Sequence, residues 1–195
     1  MVGQDPPYLS GAGIVMDVYY GDEHKIIDQI KSLNCPAIVT IDGIDGAGKS
    51  YLAKDISEKL NIDIIDSENP QYRDQGAGYF QNSYKLDVVK QKIDINKGKR
   101  SSIIFSSCCA LSILEKINIK PTFKIYIKRI NPNYPDTWDP QHARFFHYKL
   151  STADKTISLF GVNGPVRLEV IKYHYDYQPD QSANLIYYRQ KKEYE

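Results

Sequence analysis

Apolar positions along the chain switch between two spacings. Over residues 22–33, Ile26, Ile27, Ile30 and Leu33 recur at helical intervals, Asp22 stands where a helix is capped, and Pro36 closes the element. Residues 37–41 (AIVTI) form a short apolar, β-branched run that predicts a buried strand. A glycine-rich turn follows at once. Over residues 49–60, Leu52, Ala53, Ile56 and Leu60 again share one helical face. A second short strand is expected at 62–65, a helix at 83–95 carried by Leu86, Val89 and Ile93, and a third strand at 102–105. A helix at 109–117, a strand at 122–127 (TFKIYI), a helix at 165–175 with Pro165 in its first turn, and a strand at 184–188 (NLIYY) complete the series. Strands alternating with helices imply a parallel sheet covered on both faces, hence an α/β fold.

Three stretches carry no such period. Residues 1–21, with Pro6, Pro7 and four glycines, read as an irregular lead. Residues 68–82 contain Pro70, Gly76 and Gly78 and read as a loop. Residues 131–164 are polar, aromatic and proline-punctuated, and read as an insertion within a single domain spanning 1–195. The tail RQKKEYE is charged and is expected to fray.

Composition narrows the class. With 195 residues, 42% hydrophobic and 25% charged, the chain suits one globular domain, and wholesale disorder is excluded. A net charge of +1 excludes strong nucleic-acid or anionic-membrane attraction, while a local basic patch stays open. The charge-free run 101–114 is too short and too rich in serine to span a bilayer, and no signal-peptide pattern opens the chain. Cys35, Cys108 and Cys109 make an odd count with two adjacent residues. They read as small buried apolar residues in a reducing, cytoplasmic setting rather than as a disulfide framework or zinc site. The chain has 16 tyrosines, several of them late (Tyr173, Tyr175, Tyr177, Tyr187 and Tyr188). They read chiefly as core and strand residues, a stacking surface for a planar ligand being the other use.

The turn after the first strand reads Gly43, Ile44, Asp45, Gly46, Ala47, Gly48, Lys49, Ser50, which is the phosphate-binding loop pattern. Glycines let the backbone wrap phosphate oxygens closely. The inward amides make an anion nest, to which the N-terminus of the next helix, through Tyr51, adds its positive end. Lys49 is placed to reach β- and γ-phosphates, and the Ser50 hydroxyl to ligate Mg²⁺. The second signal is Asp66, at the end of the strand 62–65, because functional residues of parallel sheets gather beyond the strands' carboxyl ends. It can accept a proton from an attacking hydroxyl or hold Mg²⁺; a strand-ending or capping aspartate is the plainer alternative. Glu68 is a weaker substitute.

These residues resemble a known group. IVTIDGIDGAGKSYLAKDISEKLNIDIIDSE looks like the opening of a P-loop nucleoside or nucleotide kinase, most of all the uridine kinase-like group, whose second strand also ends in an acidic residue. The loop GIDGAGKS is also similar to that of thymidylate kinases. EVIKYHYDYQPDQSANLIYY resembles the late segment of the uridine kinase-like group, and KPTFKIYIKR resembles the strand before its lid. The resemblance implies a three-layer P-loop fold of the kinase type, with a five-stranded parallel sheet and a lid-like insertion at 131–164. It implies transfer of the γ-phosphoryl group of ATP, with Mg²⁺, to a small hydroxylated acceptor, in first place a nucleoside. Lys49 would then be the phosphate lysine, Ser50 and Asp66 the metal-side residues, and Asp66 the group near the acceptor hydroxyl. Tyr72, Arg73 and Tyr79 fall where that group binds its acceptor, although a surface loop accounts for them equally.

The departures are specific. The group's third strand often ends in an acidic residue, whereas here Ser106 and Ser107 follow IIF. In place of closely spaced lid arginines the chain offers Lys128, Arg129 and, further on, Arg144. Arg129 and Arg144 are the candidates to stabilise the phosphoryl group in flight; solvated charges are their plainer reading, and His142 and His147 read as surface or packing residues. A nucleotide-binding protein without catalysis, and an ATPase or GTPase coupled to a partner, are the competing classes. The latter lacks a second aspartate after a long apolar strand and a guanine-specifying Asn-Lys-x-Asp set. Oligomeric state stays open, and the chain is compatible with a homodimer.

Overall fold

The computed structural model describes residues 17–20, 23–74, 81–131, 134–138 and 165–190. Seven strands and five α-helices occur among them. In order they are β1 (Asp17–Tyr20), α1 (Glu23–Ser32), β2 (Ile38–Asp42), α2 (Lys49–Leu60), β3 (Asp63–Asp66), α3 (Leu86–Gly98), β4 (Ile103–Ser106) and α4 (Ala110–Lys116). Then come β5 (Phe123–Asn131), β6 (Tyr134–Trp138), α5 (Pro165–Tyr177) and β7 (Leu185–Gln190).

The sheet order is β1-β7-β5-β2-β4-β3, with β6 paired on β5. The expected parallel core is therefore β7-β5-β2-β4-β3, and the sheet carries two further strands. One is β1, parallel to β7, so residues 17–20 of the lead form a strand rather than irregular chain. The other is β6, antiparallel to β5, which opens the insertion. Local composition hid both: DVYY gains its strand partners only from β7, and β6 contains Pro135.

Strand β2 is central, with β5 on one side and β4 on the other. The chain reverses its direction of travel across the sheet here, and such switch points open a crevice beyond the carboxyl ends of the strands. Every residue of β2 is buried, because helices cover both faces. On one face Ile26, Ile27 and Ile30 of α1 and Leu52, Ala53 and Ile56 of α2 pack on Val39, Ile41, Ile104, Ile125 and Leu185. On the other, Val89 and Ile93 of α3, Ile113 and Leu114 of α4, and Val170 and Tyr173 of α5 pack on Ile38, Ile65, Ile103 and Phe105. Each such aliphatic side chain contributes about 1.5–3 kcal/mol by leaving water. Three layers result, as expected.

Two boundaries depart from the local pattern. β5 runs on to Asn131 and β7 to Gln190, because the two pair beyond their apolar runs, through Lys128↔Tyr188, Arg129↔Arg189 and Ile130↔Gln190. The first two residues of the charged tail thus belong to the sheet. Of the cysteines, Cys108 and Cys109 are buried as expected, whereas Cys35 is exposed.

Candidate active site at the phosphate loop

β2 delivers the chain into the loop at Asp42, and α2 receives it at Lys49. Two glycines are required on steric grounds. A Cβ at Gly43 would lie 2.9 Å from the carbonyl oxygen of Ile127. Gly48 takes φ +95° at the N-cap of α2, a conformation that favours glycine, and a Cβ there would fall 2.1 Å from Arg189 Nη1. Ile44 and Ala47 are buried and anchor the loop in the core, while Asp45 and Gly46 are exposed at its tip. The Lys49 side chain is buried and its Nζ donates to the carbonyl oxygen of Ile44 at 2.8 Å. Burial works against its charge, but Cys108, Asp42 and Asp45 outweigh that and hold its pKa above the ordinary 10.5. The ammonium is thus kept charged beneath the loop. Burial in turn pushes the Cys108 thiol up, against the pull of Lys49.

Asp66 and Ser50, expected to act together, meet: Ser50 Oγ donates to Asp66 Oδ1 at 3.2 Å. Asp66 Oδ1 also accepts the amide of Glu68 at 3.0 Å, which fixes the carboxylate at the strand end, and Glu68 itself is exposed. A hydroxyl and a carboxylate oxygen make a hard donor pair that fits Mg²⁺, an ion that takes one or two protein oxygens and completes its shell with phosphates and water. Among the described residues no cluster of three or more His, Cys, Asp or Glu could hold a metal.

Ser106, the last residue of β4, and Ser107, which follows it, stand in place of the acidic residue and are both buried. Ser107 Oγ accepts from Tyr84 OH at 2.8 Å and from the Cys109 amide at 3.1 Å, so it ties the turn into α4 to the segment before α3. Its role in the structure is to hold this turn.

Arg129 comes to the loop, with Nη1 donating to the Gly46 carbonyl oxygen at 3.1 Å. A second arginine was missed. Arg189 is the register partner of Arg129 on β7; its guanidinium lies against Gly48 and 5.3 Å over the ring of Tyr51. The strands' two-residue period explains the convergence. Ile125, Ile127 and Arg129 on β5 and Leu185, Tyr187 and Arg189 on β7 all point to the α2 face, so the last residue of each set reaches the loop. The sequence signal was the alternation itself, had NLIYY been continued two residues further.

The acceptor candidates divide. Tyr72 is 4% exposed within the apolar cluster with Ile65 and Val89, so it packs the core and presents no free face to a ligand. Arg73 lies just past β3, its Nε donating to Ser67 O at 2.8 Å and its Nη1 reaching Ser83 Oγ at 3.4 Å. Tyr79, His142, Arg144 and His147 lie outside the described residues.

One buried carboxylate went unnoticed in the sequence. Asp42 is 2% exposed at the base of the loop. Its Oδ1 accepts the Gly43 amide at 2.7 Å, and its Oδ2 accepts a hydrogen bond from the hydroxyl of Tyr173 on α5. Burial pushes its pKa up to about 7, although the Tyr173 and Gly43 hydrogen bonds, Lys49 and the Ala110 amide pull the other way.

No protein-family model matches the chain. It is 32% identical over 105 residues to the bifunctional pantoate ligase/cytidylate kinase of Prochlorococcus marinus (strain MIT 9215), covering 54% of this chain and 18% of that protein. It is 39% identical over 72 residues to the cytidylate kinase of Alkaliphilus oremlandii (strain OhILAs), covering 34% and 30%. It is 40% identical over 62 residues to the cytidylate kinase of Clostridioides difficile (strain 630), covering 32% and 24%. The chain thus spans less than a third of the length of each of these curated relatives. Among solved structures, one described as a possible uridine kinase from Bacillus stearothermophilus is 10% identical with a TM-score of 0.46, covering 85% of this chain and 96% of that one. A shikimate kinase from Bacteroides thetaiotaomicron is 14% identical with a TM-score of 0.32, covering 77% and 84%. With a phosphate-binding loop at the switch point of a β7-β5-β2-β4-β3 parallel core, the chain is a three-layer α/β domain, and stretches of it are similar to cytidylate kinases.

Proposed function

We propose that this chain transfers the γ-phosphoryl group of ATP to a hydroxyl of a small acceptor of the nucleoside class. The observation that carries the reading is the meeting of Ser50 and Asp66 at 3.2 Å beside the buried, charged Lys49. In the reaction the acceptor oxygen bonds to the γ-phosphorus, the bond from that phosphorus to the β,γ-bridging oxygen breaks, and ADP leaves. Asp66 orients the acceptor hydroxyl and takes its proton. Lys49 and the loop amides hold the donor phosphates, and Arg129, bound to the loop at Gly46, sets positive charge at the loop's edge. Ser50 and Asp66 would hold Mg²⁺, which when bound neutralises charge on the phosphates. Free cysteines fit a reducing, cytoplasmic setting.

Arg73 favours a second form of the acceptor. Its half-buried guanidinium stands past the end of β3, bonded to the carbonyl oxygen of Ser67, and suits an anionic group. The similarity to proteins named cytidylate kinases points the same way, to a pyrimidine nucleoside monophosphate. The test is ADP release from Mg²⁺-ATP with cytidine, uridine, CMP, UMP and other hydroxylated metabolites as acceptors. Release that depends on one acceptor is expected; nucleotide binding with no acceptor-dependent release would favour a catalytically silent protein. Lys49→Ala is expected to cut transfer by several orders of magnitude, because it removes charge from the developing transition state. Asp66→Asn is expected to lower kcat about 100-fold or more with ATP binding largely intact. Full turnover in Asp66→Asn would remove the proton-accepting role.

A further inference from the structure

Asp42 has no part in the transfer chemistry described above, yet it is the group on which the loop's base converges. Its Oδ1 holds the amide of Gly43, the first residue of the loop, at 2.7 Å. Its Oδ2 is held by Tyr173, whose hydroxyl also accepts from the Leu111 amide at 3.3 Å. One carboxylate therefore joins the loop to α4 and α5. We propose that Asp42 is a positioning residue whose carboxylate sets the first turn of the phosphate loop and takes up a proton from solvent when a nucleotide's phosphates occupy that loop.

The inference rests on the nucleotide-binding reading above. The groups facing Asp42 are Lys49 from α2, Cys108 and Cys109 from the turn before α4, Tyr126 from β5 and Tyr173 from α5. Glu169 on α5 faces Cys109, and the His174 ring lies edge-on to Tyr126 and Tyr173, at 5.8 and 5.2 Å. Among the described residues, Lys49 is the cation that acts on the Asp42 carboxylate. Arriving phosphates bring negative charge to the loop and claim the Lys49 ammonium, so the Asp42 anion loses its partner and gains like charges in a poorly solvated place. Protonation relieves this. A proton on Oδ2 reverses that bond: the Tyr173 hydroxyl hydrogen turns away, its oxygen accepts from Oδ2 as it does from the Leu111 amide, and the Gly43 bond to Oδ1 is untouched. The usual burial of Asp42 has already brought its pKa near neutrality, so the uptake falls in an accessible range.

The experiment is isothermal titration calorimetry of the wild type with Mg²⁺ and ADP at pH 7.5, in buffers of different ionisation enthalpy. Net proton uptake per ADP is expected, with affinity falling as pH rises from about 7 to 8.5. Asp42→Asn, nearly isosteric, is expected to bind ADP without that uptake and with a flat profile. Tyr173→Phe keeps the charge and removes a donor, so the fall in affinity should move to higher pH. Wild-type binding without uptake, or the same uptake in Asp42→Asn, overturns the proposal. Failure of ADP to bind at any pH would instead overturn the nucleotide-binding reading, and this inference with it.

Discussion

At Asp42 the residue's chemistry and the fold's stability pull in opposite directions. Its carboxyl has an ordinary pKa of 3.8 and stands at about 7 in the folded chain, where burial is the largest cause. The folded state therefore binds more protons than the unfolded one between those values, and stability is lost as pH rises from about 4 to 7. The loss is on the order of 4 kcal/mol. Asp42→Asn should escape it: urea titrations at pH 5 and pH 8 are expected to show a wild-type decline that the variant lacks. Parallel pH profiles in the two proteins would refute the assignment. Gly48 makes a second demand at this scale. An alanine there must hold φ +95° and displace the Arg189 guanidinium. A cost of about 1–2 kcal/mol for the conformation is expected in denaturant melts of Gly48→Ala, together with weakened ADP binding.

At the level of elements, strand ends decide what the loop touches. The pairing of β5 with β7 brings two arginines side by side against the loop backbone, Arg129 at Gly46 and Arg189 at Gly48. Arg189 stacks on Tyr51, so its planar guanidinium shapes the edge at which α2 begins. Arg189→Ala is expected to raise the KM for ATP severalfold with the acceptor KM unmoved, and Arg189→Lys to restore it only in part; an unchanged KM for ATP would show the contact to be packing alone. The phosphate loop, Lys49, Ser50, Asp66 and the alternating elements were legible because each is a local pattern: a motif, a period, a strand end. Asp42 and Arg189 were not. The partner of Asp42 is 131 positions away, and TID before a glycine reads as any strand end. Arg189 opens a charged tail whose strand character comes from pairing with β5 rather than from its own residues. Tyr72 failed for the converse reason, since position after β3 marked it as a ligand contact while burial made it a core residue.

Across the whole molecule, the order of strands ranks their stability. β2 is central and buried along its length, with β4 and β5 on its two sides. Its amides are reachable only when both layers of helices open, so they should exchange with solvent at the free energy of global unfolding. β1 is four residues long and pairs with β7 alone among the described strands, so it should open first and at much lower free energy. β3 lies at the other edge but is pinned at its end, where the Ser67 amide donates to Ser106 at 3.0 Å and Asp66 meets Ser50. The consequence for function is that the loop follows the central strand, Asp66 sits at the pinned end of the edge strand β3, and Arg189 is carried by the strand that β1 borders. Hydrogen exchange followed by mass spectrometry is expected to give slow exchange in β2 and β4, intermediate exchange in β3 and β7, and fast exchange in β1. Adding Mg²⁺ and ADP should slow residues 43–51 and β7 while leaving β1 unchanged. Protection of β1 equal to that of β2 would mean that the edge strand is part of the global folding unit, and that β7 draws its rigidity from both neighbours rather than from β5.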